Sequence, residues 1–190
     1  MRNDSAERET LTRHHTSRLL RAVRRAGRAD WAALIALGWH TGHRLQDLLD
    51  VTSDAIDGDL LTVKPRKKGG RGREVVLPIP RWLASQVRKL GGFTTIHHAD
   101  NRNGRVSDEF LGWMRAASVD PLPVARGTRT FNRRSFHSFR HGMVSRLTAA
   151  GVSGDLARLV TDHESPQVQR RYAHAEVQSL REALALARRR

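Results

Sequence analysis

From Trp31 to Trp39 the chain reads W-A-A-L-I-A-L-G-W, a stretch without a charged, amide or hydroxyl side chain. Away from water its backbone must be satisfied by regular structure, and its length and composition fit a helix. A helix that is apolar nearly all round has no face to give to solvent, so other elements must enclose it. It also falls well short of the roughly 20 apolar residues that cross a bilayer, as does every other stretch of the chain. A buried core helix at the centre of a globular body is therefore expected, with no membrane span.

The enclosing elements follow from local pattern. A helix is predicted from about Leu11 to Ala26, with Leu19, Leu20 and Val23 on one face and Arg18, Arg21, Arg24, Arg25 and Arg28 on the other. Gly27 and Asp30 stop it and start the core helix. Gly42 marks a turn, and a short helix is expected to carry Leu45 to Val51. Asp54 to Asp59 is turn-like, with Asp57-Gly58 as its corner. Leu60–Val63 and Val75–Pro78 read as two strands joined by a loop, mobile in expectation, that is crowded with Lys64, Arg66, Lys67, Lys68, Arg71 and Arg73. A helix over Arg81–Leu90 has Pro80 as its expected first residue. Residues 91–104 read as a loop, and Ser107 as the cap of a helix reaching Ala117.

Pro121 to Arg134 reads as irregular and basic. The last third is predicted helical, over His137–Ala150, Gly154–Thr161, Pro166–Tyr172 and Val177–Arg190. The sum is an α+β chain: a mainly helical single domain over 10–190 with one small β-hairpin, preceded by a disordered lead-in over 1–9.

Charge narrows the partners. The chain holds 34 Lys+Arg against 19 Asp+Glu, a formal charge of +15, which favours a polyanion: nucleic acid first, an acidic membrane surface second. Cysteine is absent, which excludes disulfides, thiolate zinc sites and a cysteine nucleophile. The polar start, Met1 to Glu9, is unlike a secretion signal. A cytoplasmic, DNA-accessible location is the expectation.

Two clusters can do chemistry. On the helix opening at Phe136, His137, Arg140 and His141 share one arc, while Phe139, Met143 and Leu147 would anchor its apolar side. Alone, such a cluster is as often a solvated or ion-paired surface as a site. The second runs Thr161-Asp162-His163-Glu164-Ser165-Pro166, then Tyr172-Ala173-His174, with Ser165 and Pro166 suited to start a helix that carries Tyr172. Tyr172 is the single tyrosine of the chain. A lone tyrosine is ordinarily a core or rim residue.

Taken in order, Thr41-Gly42-His43-Arg44-Leu45-Gln46-Asp47, the Lys68-Gly69-Gly70-Arg71-Gly72-Arg73 hairpin, His137-Ser138-Phe139-Arg140-His141, His163 and Tyr172-Ala173-His174 resemble the catalytic domain of the tyrosine recombinases, the phage-integrase family. The resemblance covers the chain from about Leu11 onward. Asp162 stands where the family usually has glycine, and Lys64 and Lys67 compete with Lys68 for the hairpin-lysine position. The helical DNA-clamping domain that usually precedes the catalytic one has no room here, so either an excised catalytic fragment or a minimal member is expected.

The resemblance implies roles. Arg44 and Arg140 would donate to the non-bridging oxygens of a phosphodiester, with His163 as a third donor. Tyr172 would be the nucleophile, His137 its proton acceptor or orienter, and Lys68 the proton donor to the leaving 5′-oxygen. A 3′-phosphotyrosine ester would form without cofactor. Asp47 would hold Arg44, and His141 and His174 would support the site structurally.

Lys64, Arg66, Lys67, Arg71, Arg73, Arg133 and Arg134 are the candidate DNA contacts. Zinc ligation by His137 and His141, or by His97, His98 and Asp100, has suitable spacing, but no catalytic carboxylate accompanies the first pair and no metal is expected. The implied partner is double-stranded DNA, bound by a homo-oligomer, a tetramer on paired duplexes. The amphipathic C-terminal helix would either dock on a neighbouring protomer or pack within its own chain. The rival readings are a catalytically silent DNA-binding relative and a type IB topoisomerase-like strand transferase.

Overall fold

The computed structural model describes residues 8–67, 70–71, 74–96, 104–126, 128–160 and 176–189. The core helix, α2 (Ala29–Thr41), has every residue from Trp31 to Leu37 at 2% exposure or less. Around it lie α1 (Arg13–Arg25), which inserts Leu19 and Val23; α3 (Leu45–Leu49), with Leu48; and α4 (Arg81–Leu90), with Leu83 and Val87. Phe110 of α5 (Arg105–Ala116) closes the shell with Phe136 and Phe139, whose rings meet it edge-on at 5.2 and 5.9 Å. Gly38 makes this approach possible, because a Cβ there would lie 2.8 Å from ring atoms of both Phe136 and Phe139.

The sheet is antiparallel in the order β1-β2-β5, from β1 (Ile56–Asp57), β2 (Leu60–Val63) and β5 (Val75–Pro78). Its register pairs Leu60 with Pro78 and Val63 with Val75. The connection between β2 and β5 continues as a second short pair, β3 (Arg66–Lys67) with β4 (Gly70–Arg71). Val75 and Leu77 face a second apolar cluster, built with Met143 and Leu147 of α6 (Ser138–Ala149), Val160 of α7 (Gly154–Val160) and Leu180, Leu184 and Ala187 of α8 (Glu176–Arg189). The apolar stripe of α8 is thus buried in cis, and Arg181 pins the helix to Asp59 at 2.5 Å.

The mainly helical α+β architecture agrees with expectation, and five local readings are corrected. Pro121 to Arg134 is not irregular: β6 (Pro123–Arg126) and β7 (Arg129–Asn132) form a hairpin with Pro123 opposite Asn132. The lead-in is docked by its end, since Glu9 donates its N–H to Arg133 O at 3.0 Å and pairs with the Arg133 guanidinium at 2.9 Å. Ser107 lies inside the first turn of α5 rather than at its cap, which is Gly104, and Pro80 caps α4 instead of opening it. Ile56–Asp57 adds a strand to a segment read as turn, because the Gly58 corner, at φ 57°, folds it back on Leu60–Leu61. Among the described residues no helix is long and apolar enough to cross a membrane.

Candidate functional site

The site begins where α2 stops. Thr41 Oγ1 donates to Leu37 O at 2.7 Å and accepts from the His43 N–H at 3.3 Å, which tightens the last turn. Gly42 then adopts φ 68°, the left-handed conformation that ends a helix at low cost only for glycine. The same residue touches α6: a Cβ at Gly42 would lie 2.7 Å from Met143 Cβ and 3.5 Å from Arg140 Cα. Gly42 therefore serves twice, to turn the chain and to seat that turn on the helix carrying Arg140. Arg140 Nη1 lies 3.5 Å from Gly42 O, which ties positions 98 residues apart in sequence.

Arg44 leaves this turn as the residue capping α3, its side chain 42% exposed. Asp47, one helical turn on and almost fully buried, holds it with Oδ2 at 3.6 Å from Arg44 Nη1. The other oxygen of Asp47 accepts the backbone N–H of Arg66 at 2.9 Å, and the Arg66 side chain reaches Asp50 Oδ2 at 2.6 Å. Short helix α3 thus fixes both an arginine of the site and the root of the cationic hairpin. On the same arm of the hairpin, Lys64 Nζ reaches across to Glu74 at 2.8 Å.

His137 caps α6 and is half-buried, with its ring 4.8 Å from that of His141. Burial first, then the positive charge of His141, Arg8, Arg140 and Arg44, pushes its pKa down to about 4. His137 is consequently neutral at pH 7. His141 is shifted down by burial and by Arg8 and Arg140. Arg140 is 2% exposed, a permanent charge held inside the body beside the Gly42 turn.

Of the residues picked out by motif, the structure brings together Arg44, Asp47, His137, Arg140 and His141. Lys68, Arg73, His163, Tyr172 and His174 lie outside the described residues, as does the predicted helix over Pro166–Tyr172. Lys67 and Arg71 are placed by their backbones on β3 and β4. Four candidate DNA contacts are engaged with carboxylates: Lys64 with Glu74, Arg66 with Asp50, and both Arg133 and Arg134 with Glu9. Among the described residues, no group of three His, Asp or Glu side chains is arranged to hold a metal ion.

Two residues were invisible to motif reasoning. His43 lies inside the T-G-H-R motif yet is 1% exposed, and neither ring nitrogen has a hydrogen-bond partner among the described residues. Burial, then the charges of Arg140 and Arg44, pushes its pKa down to about 3. Arg8, in the segment expected to be disordered, adds positive charge to His137 and His141.

Neither a family model nor a curated protein sequence matches this chain. Solved structures do. The integrase from mycobacterium phage Brujita superposes with a TM-score of 0.64 at 18% identity, over 94% of this chain and 57% of its own. A lambda integrase dimer bound to a COC′ core site matches with a TM-score of 0.57 at 18% identity, over 88% and 61%. The catalytic core of lambda integrase matches with a TM-score of 0.53 at 21% identity, over 84% and 95%. This chain therefore has the α+β fold of the integrase catalytic core, and it spans little more than half the length of the longer integrases it matches.

Proposed function

We propose that this chain cuts and rejoins DNA strands by transesterification at Tyr172, as a site-specific recombinase of the tyrosine type. The observation that carries the reading is the seating of the Gly42–Arg44 turn on α6. It gathers two permanent cations and a neutral imidazole from segments 98 residues apart. A phosphodiester is anionic, and its pentacoordinate transition state concentrates further charge on the non-bridging oxygens. Cations positioned before that charge develops are commonly the largest catalytic term.

In this reading the Tyr172 oxygen attacks phosphorus and the bond from phosphorus to the 5′-oxygen breaks. His137 accepts the phenolic proton, and a hairpin lysine, with Lys68 preferred, protonates the leaving oxygen. Arg44, Arg140 and His163 donate to the non-bridging oxygens. The phosphotyrosine ester keeps the bond energy, so a 5′-hydroxyl of another strand can reverse the step without ATP, and the arginines supply the charge that a metal would otherwise provide. A fold match that is itself a dimer on DNA supports duplex DNA as substrate and an oligomer on it.

The test is a trapping experiment with nicked duplexes of random sequence, in which the fragment beyond the cut diffuses away. A covalent protein–DNA band on a denaturing gel, absent in Tyr172→Phe and formed about 10²–10³-fold more slowly in Arg44→Gln, is the expected result. Salt-sensitive retention without any covalent band would overturn the proposal in favour of a DNA-binding module.

A further inference from the structure

Arg18, Arg21 and Arg25 line one wall of a groove of about 530 Å³, whose other wall is Trp113 and the end of α5 at Ala117 and Ser118. The three arginines stand at i, i+3 and i+7, a single row along α1 with steps of roughly 4.5 and 6 Å along the axis. Like charges at such spacing repel and weaken a helix. Nothing in α1 relieves them, for its sequence, R-H-H-T-S-R-L-L-R-A-V-R-R, contains no acid.

Arg28, Arg66, Arg133 and Arg181 each rest on a carboxylate at 3.0 Å or closer. Among the described residues the three arginines of the groove have no such partner, and no acid lines the groove. Its floor includes Ala22, a small side chain that lets a bulky ligand come close. The large exposed apolar side chains of the described residues, Val76, Trp82 and Leu186, lie on other elements, so the groove offers a lipid bilayer no apolar anchor.

The row also points back to the candidate site. His15, one turn before Arg18, is depressed by burial and then by Arg134, His14 and Arg18, so Arg134 and Arg18 act on the same ring. Arg8 acts in turn on His137 and His141. The charges acting on these rings thus come from Arg8, Arg134 and Arg18, the last of which opens the row.

We propose that this groove carries the sugar–phosphate backbone of duplex DNA flanking the cut position, about three phosphates' worth of contact outside the catalytic site. It rests on the reading that the chain acts on DNA. A regular row of guanidiniums with no carboxylate partner among the described residues fits a polymer with regularly spaced charge, and it would contribute affinity without sequence preference.

The test uses the full chain and a random-sequence duplex of about 40 base pairs, with affinity measured across salt concentration. The variant carrying Arg18→Gln, Arg21→Gln and Arg25→Gln should lower the slope of log affinity against log salt by about 2–3. Near 0.1 M salt it should bind on the order of 10²-fold more weakly. A control carrying Arg88→Gln, Lys89→Gln and Arg115→Gln loses the same net charge at exposed positions of α4 and α5, and should change the slope by less than about 1.

Equal losses in both variants, or no loss in the groove variant, would overturn the proposal. If the triple variant does not fold, Arg21→Gln alone should lower the slope by about 0.9. A chain that forms no Tyr172 adduct yet keeps the predicted slope change refutes the strand-transfer reading and leaves the groove. An adduct with an unchanged slope does the reverse.

Discussion

Replacing His43 with leucine should flatten the acid side of the stability profile. In the folded chain His43 is fully enclosed with its pKa pushed to about 3, against about 6.5 in an unfolded chain. Between those values the unfolded state binds a proton that the folded state refuses, so stability rises with pH, is complete above about 6.5, and is lost as pH falls towards 3. At 1.36 kcal/mol per pH unit, the loss at pH 4.5 relative to pH 7.5 is about 2–3 kcal/mol.

His43→Leu removes the proton site and replaces a buried ring that has no hydrogen-bond partner among the described residues by an apolar side chain of comparable volume. Urea unfolding of both proteins at steps from pH 7.5 to 4.5 measures the effect. Carboxylates that also titrate, such as Asp30, contribute equally to both and cancel in the difference. The gap between the two curves should grow by about 2–3 kcal/mol as pH falls. Parallel curves would refute the claim that His43 is enclosed in its neutral form.

Three further outcomes follow from the same geometry. Gly42→Ala places a methyl 2.7 Å from Met143 Cβ at φ 68°, and should destabilise the chain by about 2 kcal/mol or more in thermal unfolding while slowing adduct formation. Asp47→Asn keeps an acceptor for the Arg66 N–H but removes the charge beside Arg44; adduct formation at saturating DNA should slow at least about tenfold, with DNA affinity nearly unchanged. Glu9→Gln removes the carboxylate on which Arg134 rests, and should steepen the salt dependence of DNA binding by up to about 1.

What could be read beforehand was whatever depends on local pattern. The segment Trp31–Trp39 had to be enclosed, and Leu60–Val63 and Val75–Pro78 alternate or run apolar between Gly and Pro, so their pairing in a sheet was legible. The β6–β7 hairpin was not: Pro123, Ala125 and Thr130 are exposed, so no run of buried apolar residues marks either strand. Nor was the docking of Glu9, whose partner Arg133 lies 124 positions away.

At the site, the order of motifs pointed to Arg44, His137 and Arg140 as one group. The contact that assembles them, Gly42 against Met143, left no trace in either segment alone. His43 shows the same limit, because its composition suggests a surface residue and only its neighbours in three dimensions enclose it.

The side chain to which the phosphate becomes attached decides the mechanism. Protein trapped on nicked duplex can be digested with a protease and the peptide that retains the nucleotide identified by mass spectrometry. The account predicts a single linked peptide, with the 3′-phosphate on Tyr172 and a free 5′-hydroxyl on the released strand. A linkage to any other side chain, or a band that persists in Tyr172→Phe, would contradict it.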